Sequence, residues 1–287
     1  MLLRLGGGAA MSDLSNAFVI GDETKVKTPK GVGRGLIQRD YSKYPRGYYA
    51  SAMAIDFPIT SMIEWPDRIK ENEATKSNLS DIRNKGNNGQ PIPSLDQNGQ
   101  GYCWSYSTCA CIQLLRSIAN APYVPLSAHS VACVIKNFRD EGGWGALSLD
   151  FAMIRGYQPQ LLWPAKSMNR QYDTAANWEV AKQYRVAEGW IDLAAAVYDR
   201  DLSNLQVGTL LLAGIPVVCD YNWWGHSVCG MDLVDVYPNR AATDYSRYGI
   251  RILNSWTDGW GDNGTSVLKD SKAWPDGSVA PRATVIQ

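Results

Sequence analysis

The sequence lacks the long apolar runs and the charge excess that mark membrane proteins and nucleic-acid-binding proteins. Its longest apolar run, residues 207–218, is only twelve residues long, whereas a helix that spans a bilayer needs about 20. The 28 basic side chains balance 28 acidic ones, so no net charge attracts the chain to nucleic acid or to an anionic membrane. Since 45% of the 287 residues are hydrophobic, we expect a globular protein with a real core and with no nucleic-acid or membrane partner.

Metal-binding and disulfide patterns are also scarce. The six cysteines include no Cys-x-x-Cys pair, and there are only two histidines, so we predict neither a metal site nor a cofactor. Residues 1–13 resemble a secretory signal poorly, which favours an intracellular, reducing location and free cysteines. If a histidine is catalytic, it must be His129 or His226.

The composition divides the chain near residue 85. Residues 1–85 contain Gly, Pro and Lys clusters with little apolar periodicity, which predicts an extended arm or a pro-segment before a domain of residues 86–287. From about residue 92 the apolar spacing predicts helices over residues 104–118, 127–139, 146–155 and 201–213. Short β-rich segments then predict strands over residues 215–221, 227–236, 248–253 and 265–268. Helices followed by strands indicate an α+β fold with two packed lobes.

One segment with chemical potential lies at the start of the first of these helices. Cys103 follows a glycine-containing loop, where the positive end of the helix dipole stabilises a thiolate. Gln97, six residues upstream, offers an amide donor that can form an oxyanion hole together with the Cys103 N–H. A buried structural cysteine is an equally good interpretation of this segment alone.

Two later segments strengthen the catalytic interpretation. His226 begins a predicted strand in GHSVCGMDLV, although a lone histidine at a strand edge is more often structural. Asn254 ends another strand in NSWTDGWGDNG, and its amide can hold an imidazole in one tautomer while Trp256 shields that hydrogen bond from water.

Together these segments resemble those of the papain family of cysteine peptidases. The resemblance covers roughly residues 92–270 and rests on the Gln97…Cys103-Trp104 spacing, on Asn254-Ser255-Trp256, and on the Gly-Trp-Gly-Asp-Asn-Gly run at 259–264. Residues 126–133 are similar to the start of a family helix, and Gly142-Gly143-Trp144 is similar to the edge of the family's substrate cleft.

The resemblance implies a two-lobe fold, with a helical left lobe and an antiparallel β-barrel-like right lobe. It also implies that Cys103, as a thiolate paired with the His226 imidazolium, attacks a peptide carbonyl to give a thioester, and that Asn254 orients His226. In this scheme Gln97 stabilises the oxyanion, and His129 has no catalytic role. The substrate-binding residues that it implies are Gly142, Gly143, Trp144, Gly225 and Trp256.

Some features depart from the family pattern and leave alternatives open. The cysteines that form the usual family disulfides are absent near Gln100 and Gly142, and residues 1–85 lack the helical inhibitory pro-segment pattern. The chain is therefore expected to be either a thiol endopeptidase or an assembly subunit of papain-like fold, for example in a virion, with acyl transfer as a third option.

The arm has two possible roles. An inhibitory pro-segment would run through the cleft between Cys103 and His226. An assembly arm would point away and place its apolar residues on a partner protein; this is the role that we expect. The residues concerned are Phe18, Val19, Ile20, Tyr48, Tyr49 and Phe57.

Overall fold

The structure is a computed structural model that describes residue 14, residues 17–26 and residues 28–286. The helices in these residues are α1 (Trp65–Thr75), α2 (Leu79–Arg83), α3 (Cys103–Ile118), α4 (Ala128–Ile135), α5 (Gly145–Ile154), α6 (Ala175–Ala181) and α7 (Arg200–Leu212). The strands are β1 (Val19–Ile20), β2 (Ala52–Met53), β3 (Val186–Asp192), β4 (Val217–Tyr221), β5 (His226–Asp235), β6 (Tyr248–Leu253), β7 (Thr265–Leu268) and β8 (Gly277–Thr284).

The strands form one sheet in the order β1-β7-β6-β5-β4-β8-β3-β2. The inner strands pair antiparallel, and the two-residue edge strands β1 and β2 add parallel to β7 and β3. The edge strands lie at opposite ends of this order, so the sheet is open and does not close into a barrel. The predicted α+β class is confirmed, and the barrel-like description of the right lobe is corrected to an open sheet.

Helix α3 lies inside one of the two hydrophobic cores formed by the described residues. One core surrounds α3, α4 and α5, and the other lies on the far side of the sheet, against α1 and α7. Almost every side chain of α3 is buried, because β5 covers one side of the helix and α4 and α5 cover others. This central position fixes the first residue of α3 against the start of β5.

The elements predicted from periodicity occur close to their predicted positions. Strands β4 to β7 begin and end within two residues of the prediction. Helix α4 ends four residues early, since Asn137 and Phe138 have φ angles of 50° and 62° and turn the backbone out of the helix. Strands β3 and β8 were not predicted. Strand β8 contains Pro281, and apolar and polar residues do not alternate regularly along it.

The described residues before position 86 are part of the same packed structure. Helix α1 buries Trp65 and Ile69, and α2 buries Leu79. Of the apolar residues expected to face a partner protein, Ile20 is fully buried in the core and Phe18 packs on Trp260 with ring centroids 5.5 Å apart. Ile20 is therefore not available to a partner, whereas Phe18 and Tyr48 remain 43% and 54% exposed, and contact of the arm with a partner stays a prediction.

Candidate active site

Cys103 is the first residue of α3 and is completely buried. Burial raises the pKa of its thiol to about 12. The backbone N–H groups of Ser227, Trp104 and Cys103 itself lower this pKa in part, and the charge of Asp220 raises it further. Cys103 therefore lies against the residue that follows His226, in surroundings that favour the neutral thiol.

His226 is the first residue of β5, and Asn254 follows β6, which pairs with β5. The Nε2 atom of His226 lies 2.7 Å from Oδ1 of Asn254, which also accepts the Ser255 N–H at 2.8 Å. Because an amide oxygen only accepts, Nε2 carries the proton and donates it. Nδ1 has no hydrogen-bond partner within the described residues, so it is the nitrogen available to accept a proton.

The imidazole of His226 is enclosed by indole rings. Trp256 lies 4.7 Å from it and Trp224 lies 4.9 Å from it, measured between ring centroids. Burial lowers the pKa of His226 to about 4, the hydrogen bond to Asn254 opposes this shift, and the charge of Arg34 adds to it. The thiolate–imidazolium pair that the resemblance implies is thus disfavoured here, since burial favours the neutral form of both groups.

Gln97 holds the loop before α3 to the segment after β6. Its Nε2 donates to the Gln100 carbonyl at 2.7 Å, and its Oε1 accepts from the Ser255 hydroxyl at 2.5 Å. One of the two Nε2 hydrogens is engaged in the loop, and the other is left for an oxyanion. The role of Gln97 as an oxyanion donor stays a prediction.

An extended piece of the arm lies across this site; we call residues 31–37 the cleft segment. Gly143 donates its N–H to the Gly35 carbonyl at 2.9 Å and accepts from the Ile37 N–H at 2.8 Å. On the opposite wall, the Leu36 N–H donates to the Gly225 carbonyl at 3.2 Å. The cleft segment is therefore held by its main chain, as a bound peptide would be.

The other predicted substrate-binding residues also contact the arm. The indole N–H of Trp256 donates to the Gly33 carbonyl at 3.0 Å, and that of Trp144 donates to the Tyr49 hydroxyl at 3.0 Å. A Cβ on Gly142 would lie 2.5 Å from the Gly35 carbonyl oxygen.

Alternating glycines let the cleft segment lie flat on the loop before Cys103. A Cβ on Gly33 would come within 2.1 Å of the Gln100 carbonyl oxygen, and no side chain fits in that space. The sequence signal is the GVGRG run at 31–35, whose composition alone indicated no more than an extended arm. The expectation that the arm points away from the cleft is wrong for this segment.

His129 does not belong to this centre. It lies in α4, where its Nδ1 is 2.7 Å from the Tyr106 hydroxyl, and burial lowers its pKa to about 4. Asp220 and Ser227, in contrast, face the site from β4 and β5 and were not identified from the sequence, because they carry no motif of their own.

Comparison with solved structures gives the fold. Xylellain, a cysteine protease from Xylella fastidiosa, superposes with a TM-score of 0.57 at 16% identity over 91% of this chain and 99% of its own. The protein has a papain-like fold. Digestive procathepsin L 3 of Tenebrio molitor shares this papain-like fold, with a TM-score of 0.54, 14% identity and coverage of 80% and 72% of the two chains. The resemblance noted in the sequence is confirmed.

Sequence comparison adds a weak similarity to a plant protein. Zingipain-1 from Zingiber officinale is 24% identical over 190 residues, which cover 61% of this chain and 81% of the relative. No family model matches the chain. Xylellain is by its title a cysteine protease, and the procathepsin is by its name a proenzyme.

Two further features are absent from the described part of the chain. No group of three or more His, Cys, Asp or Glu side chains in it is arranged to hold a metal ion. Across the same residues, no helix combines the length and apolarity needed to cross a bilayer.

Proposed function

We infer that the protein is a cysteine peptidase whose substrate cleft is filled by its own N-terminal segment. The observation that supports this inference is that Cys103 and His226 both lie beside Ser227. Cys103 begins α3 against the Ser227 N–H, and His226, next to Ser227, is held through Nε2 by Asn254. Such a base, oriented by a third group beside a thiol, is the arrangement that nucleophilic catalysis requires.

The reaction follows from these positions. Nδ1 of His226 takes the thiol proton of Cys103 as the sulfur attacks a peptide carbonyl carbon, and the oxyanion is stabilised by the Cys103 N–H and by Gln97. The imidazolium returns the proton to the departing amine as the C–N bond breaks and a thioester remains. Water, deprotonated by Nδ1, then hydrolyses the thioester to a carboxylic acid and restores the thiol.

The cleft segment supports a peptide substrate. Gly143 and Gly225 already bind an extended main chain through backbone hydrogen bonds that do not depend on its side chains. The same contacts exclude a second peptide, so the protein is latent until residues 31–37 leave. Their departure also hydrates Cys103 and His226, and this removes the burial that disfavours the ion pair.

No comparison supports the alternative, an assembly subunit without activity. Of the apolar residues that would contact a partner, Ile20 is buried within the chain, whereas Phe18 and Tyr48 stay exposed. Acyl transfer to an acceptor other than water uses the same three side chains, and the peptidase experiment below separates it from hydrolysis through the products formed.

The test uses the full chain with the cleft segment made releasable. The loop after β2 is exposed at Ile55 and Asp56, so a recognition sequence for a specific protease is inserted between them. After cutting, the protein is treated with an epoxide inhibitor of thiol proteases and mapped by mass spectrometry. We expect modification of Cys103 alone, with the five other buried cysteines as internal controls.

Two variants complete the test. His226→Ala should lose both the labelling and the hydrolysis of a general peptide substrate, whereas His129→Gln should keep both. Labelling spread over several cysteines, or hydrolysis that survives His226→Ala, would contradict the proposed function.

A further inference from the structure

A cavity of about 150 Å³ lies beside the cleft segment and is lined in part by Leu36. Asp220 lines it from β4, Asp276 and Gly277 line it from the start of β8, and Arg39 of the arm lines it from above. The cavity is thus bounded by charged groups of both signs.

Each charged side chain that lines this cavity has an ion-pair partner, with one exception. Arg39 makes a bidentate ion pair with Asp192, at 2.8 and 2.9 Å, and Arg200 lies 2.9 Å from Asp276. Among the residues that the structure describes, Asp220 has no ion pair of this kind. Its side chain is buried, with the residue only 9% exposed, and its Oδ1 atom has no hydrogen-bond partner within the same residues.

The polar contacts of Asp220 do not satisfy a buried carboxylate. Oδ2 accepts the Gly145 N–H at 3.2 Å. Burial raises the pKa of Asp220 to about 6, which the Ser227 hydroxyl, the Gly145 N–H and the charge of Arg39 only partly oppose. A buried carboxylate with a free oxygen is costly, and a cation placed against it removes that cost.

Asp220 lies close to the reacting groups. It pairs across the β4–β5 ladder with Ser227, the neighbour of His226, and its negative charge raises the pKa of the Cys103 thiol. Leu36 pairs with Gly143 in the cleft and lines the cavity. A peptide whose main chain pairs with Gly143 in the same way therefore directs the corresponding side chain into the cavity of Asp220.

We propose that this cavity is a specificity subsite in which Asp220 receives the lysine or arginine side chain of a peptide substrate. This inference rests on the proposed peptidase function, because that function makes a peptide the ligand of the site. The site itself is defined by a buried carboxylate that forms no ion pair with any described residue and that lines the same cavity as Leu36.

The arm does not use this subsite fully. Leu36 lines the cavity but has no group that can bind a carboxylate, so the arm leaves Oδ1 without a partner among the described residues. A basic substrate gains an interaction there that the cleft segment lacks, and this difference favours exchange of the segment for substrate.

The first test needs no turnover. Leu36→Arg and its uncharged control Leu36→Met are prepared in the full chain, each with Asp220 and with Asp220→Asn. With Asp220 in place we expect the Arg variant to melt about 2 °C or more above the Met variant. We expect this difference to disappear in the Asp220→Asn pair, because the amide that replaces the carboxylate carries no charge. An Arg variant that melts at or below the Met variant in the presence of Asp220 would overturn the subsite.

The second test measures substrate choice in the nicked chain. Quenched fluorescent peptides carry Lys, Arg or uncharged norleucine at each of the three positions before the scissile bond. We expect kcat/KM at one position to be at least about tenfold higher for the basic residues, and we expect Asp220→Asn to remove this preference. Glu179→Gln, which removes an exposed acid on α6, should keep it.

The two proposals fail in different ways. Cleavage of all peptides without a basic preference, in enzyme that labels at Cys103, would refute the subsite and leave the peptidase intact. If no peptide is cleaved and Cys103 is not labelled, the peptidase proposal fails. The melting comparison of the Leu36 variants then shows by itself whether Asp220 binds a cationic side chain.

Discussion

A Cβ atom on Gly35 would lie only 2.0 Å from the carbonyl oxygen of Gly101, two residues before Cys103. Real side chains do not approach a backbone oxygen this closely, so glycine is required for the cleft segment to dock. Gly35 also donates its N–H to the Gly225 carbonyl at 3.3 Å, which ties the same residue to the opposite wall of the cleft. The closed cleft therefore depends on the missing side chain of one residue.

We predict that Gly35→Ala opens the cleft without any cleavage. The added methyl group must move the cleft segment away from Gly101, which exposes Cys103 to solvent. Alkylation of Cys103 by iodoacetamide, followed by mass spectrometry, should be at least about tenfold faster than in the unaltered chain.

The exposed Lys30→Ala, in the same arm, is the matched control and should label at the original rate. Equal labelling rates for Gly35→Ala and the unaltered chain, at equal thermal stability, would show that the segment does not guard Cys103.

Asn254→Ala should reduce turnover without abolishing it. Asn254 fixes the orientation of His226 through the 2.7 Å hydrogen bond but transfers no proton itself. In the nicked chain we expect kcat to fall by about tenfold to a hundredfold, whereas Cys103→Ala should remove hydrolysis entirely. A kcat that is unchanged in Asn254→Ala would mean that this amide does not position the base.

The histidines predict how stability depends on pH. Burial lowers the pKa of His226 and of His129 from 6.5 to about 4, so the unfolded chain binds these protons first. Stability is then full above pH 6.5 and is lost as the pH falls toward 4, by up to about 3 kcal/mol for each histidine at roughly 1.4 kcal/mol per pKa unit. Asp220 opposes this loss, since its pKa is raised from 3.8 to about 6 and the folded chain binds that proton first.

The measurement is urea unfolding of the full chain between pH 4 and pH 7. His226→Gln cannot take up the proton, so its stability should fall less steeply over this range than that of the unaltered chain. If both proteins show the same slope, the imidazole of His226 is not held neutral by burial.

The sequence predicted the elements whose signal is local. Helix α3 and strands β4 to β7 follow apolar periodicity, and Cys103, His226 and Asn254 lie in short motifs, which is why these were found. The placement of the cleft segment was missed because it depends on glycines that fit distant loops, at residues 99–101 and at Gly143. Asp220 was missed for a related reason. Its position near the site depends on its pairing with Ser227 in the neighbouring strand, and no local sequence pattern shows that pairing.

The division of the chain at residue 85 leads to a last prediction, which concerns Trp65 in α1. This side chain is fully buried, its indole N–H donates to the Thr60 carbonyl at 3.0 Å, and its ring lies 5.1 Å from that of Tyr248. A Cβ on Gly208 of α7 would come within 2.5 Å of the Trp65 ring, so the two helices are packed without spare room.

Trp65→Ala should therefore lower the free energy of unfolding by about 3–5 kcal/mol, because a large buried ring is replaced by a cavity. Ile63→Ala, two residues earlier and 70% exposed, should change it by less than about 0.5 kcal/mol. Urea unfolding of both variants compares them directly. Because α1 packs on α7 and β6, we expect a chain that starts at residue 86 to be much less stable than the full chain. A small effect of Trp65→Ala would contradict this, and would mean that the first 85 residues are an appendage without which the rest folds.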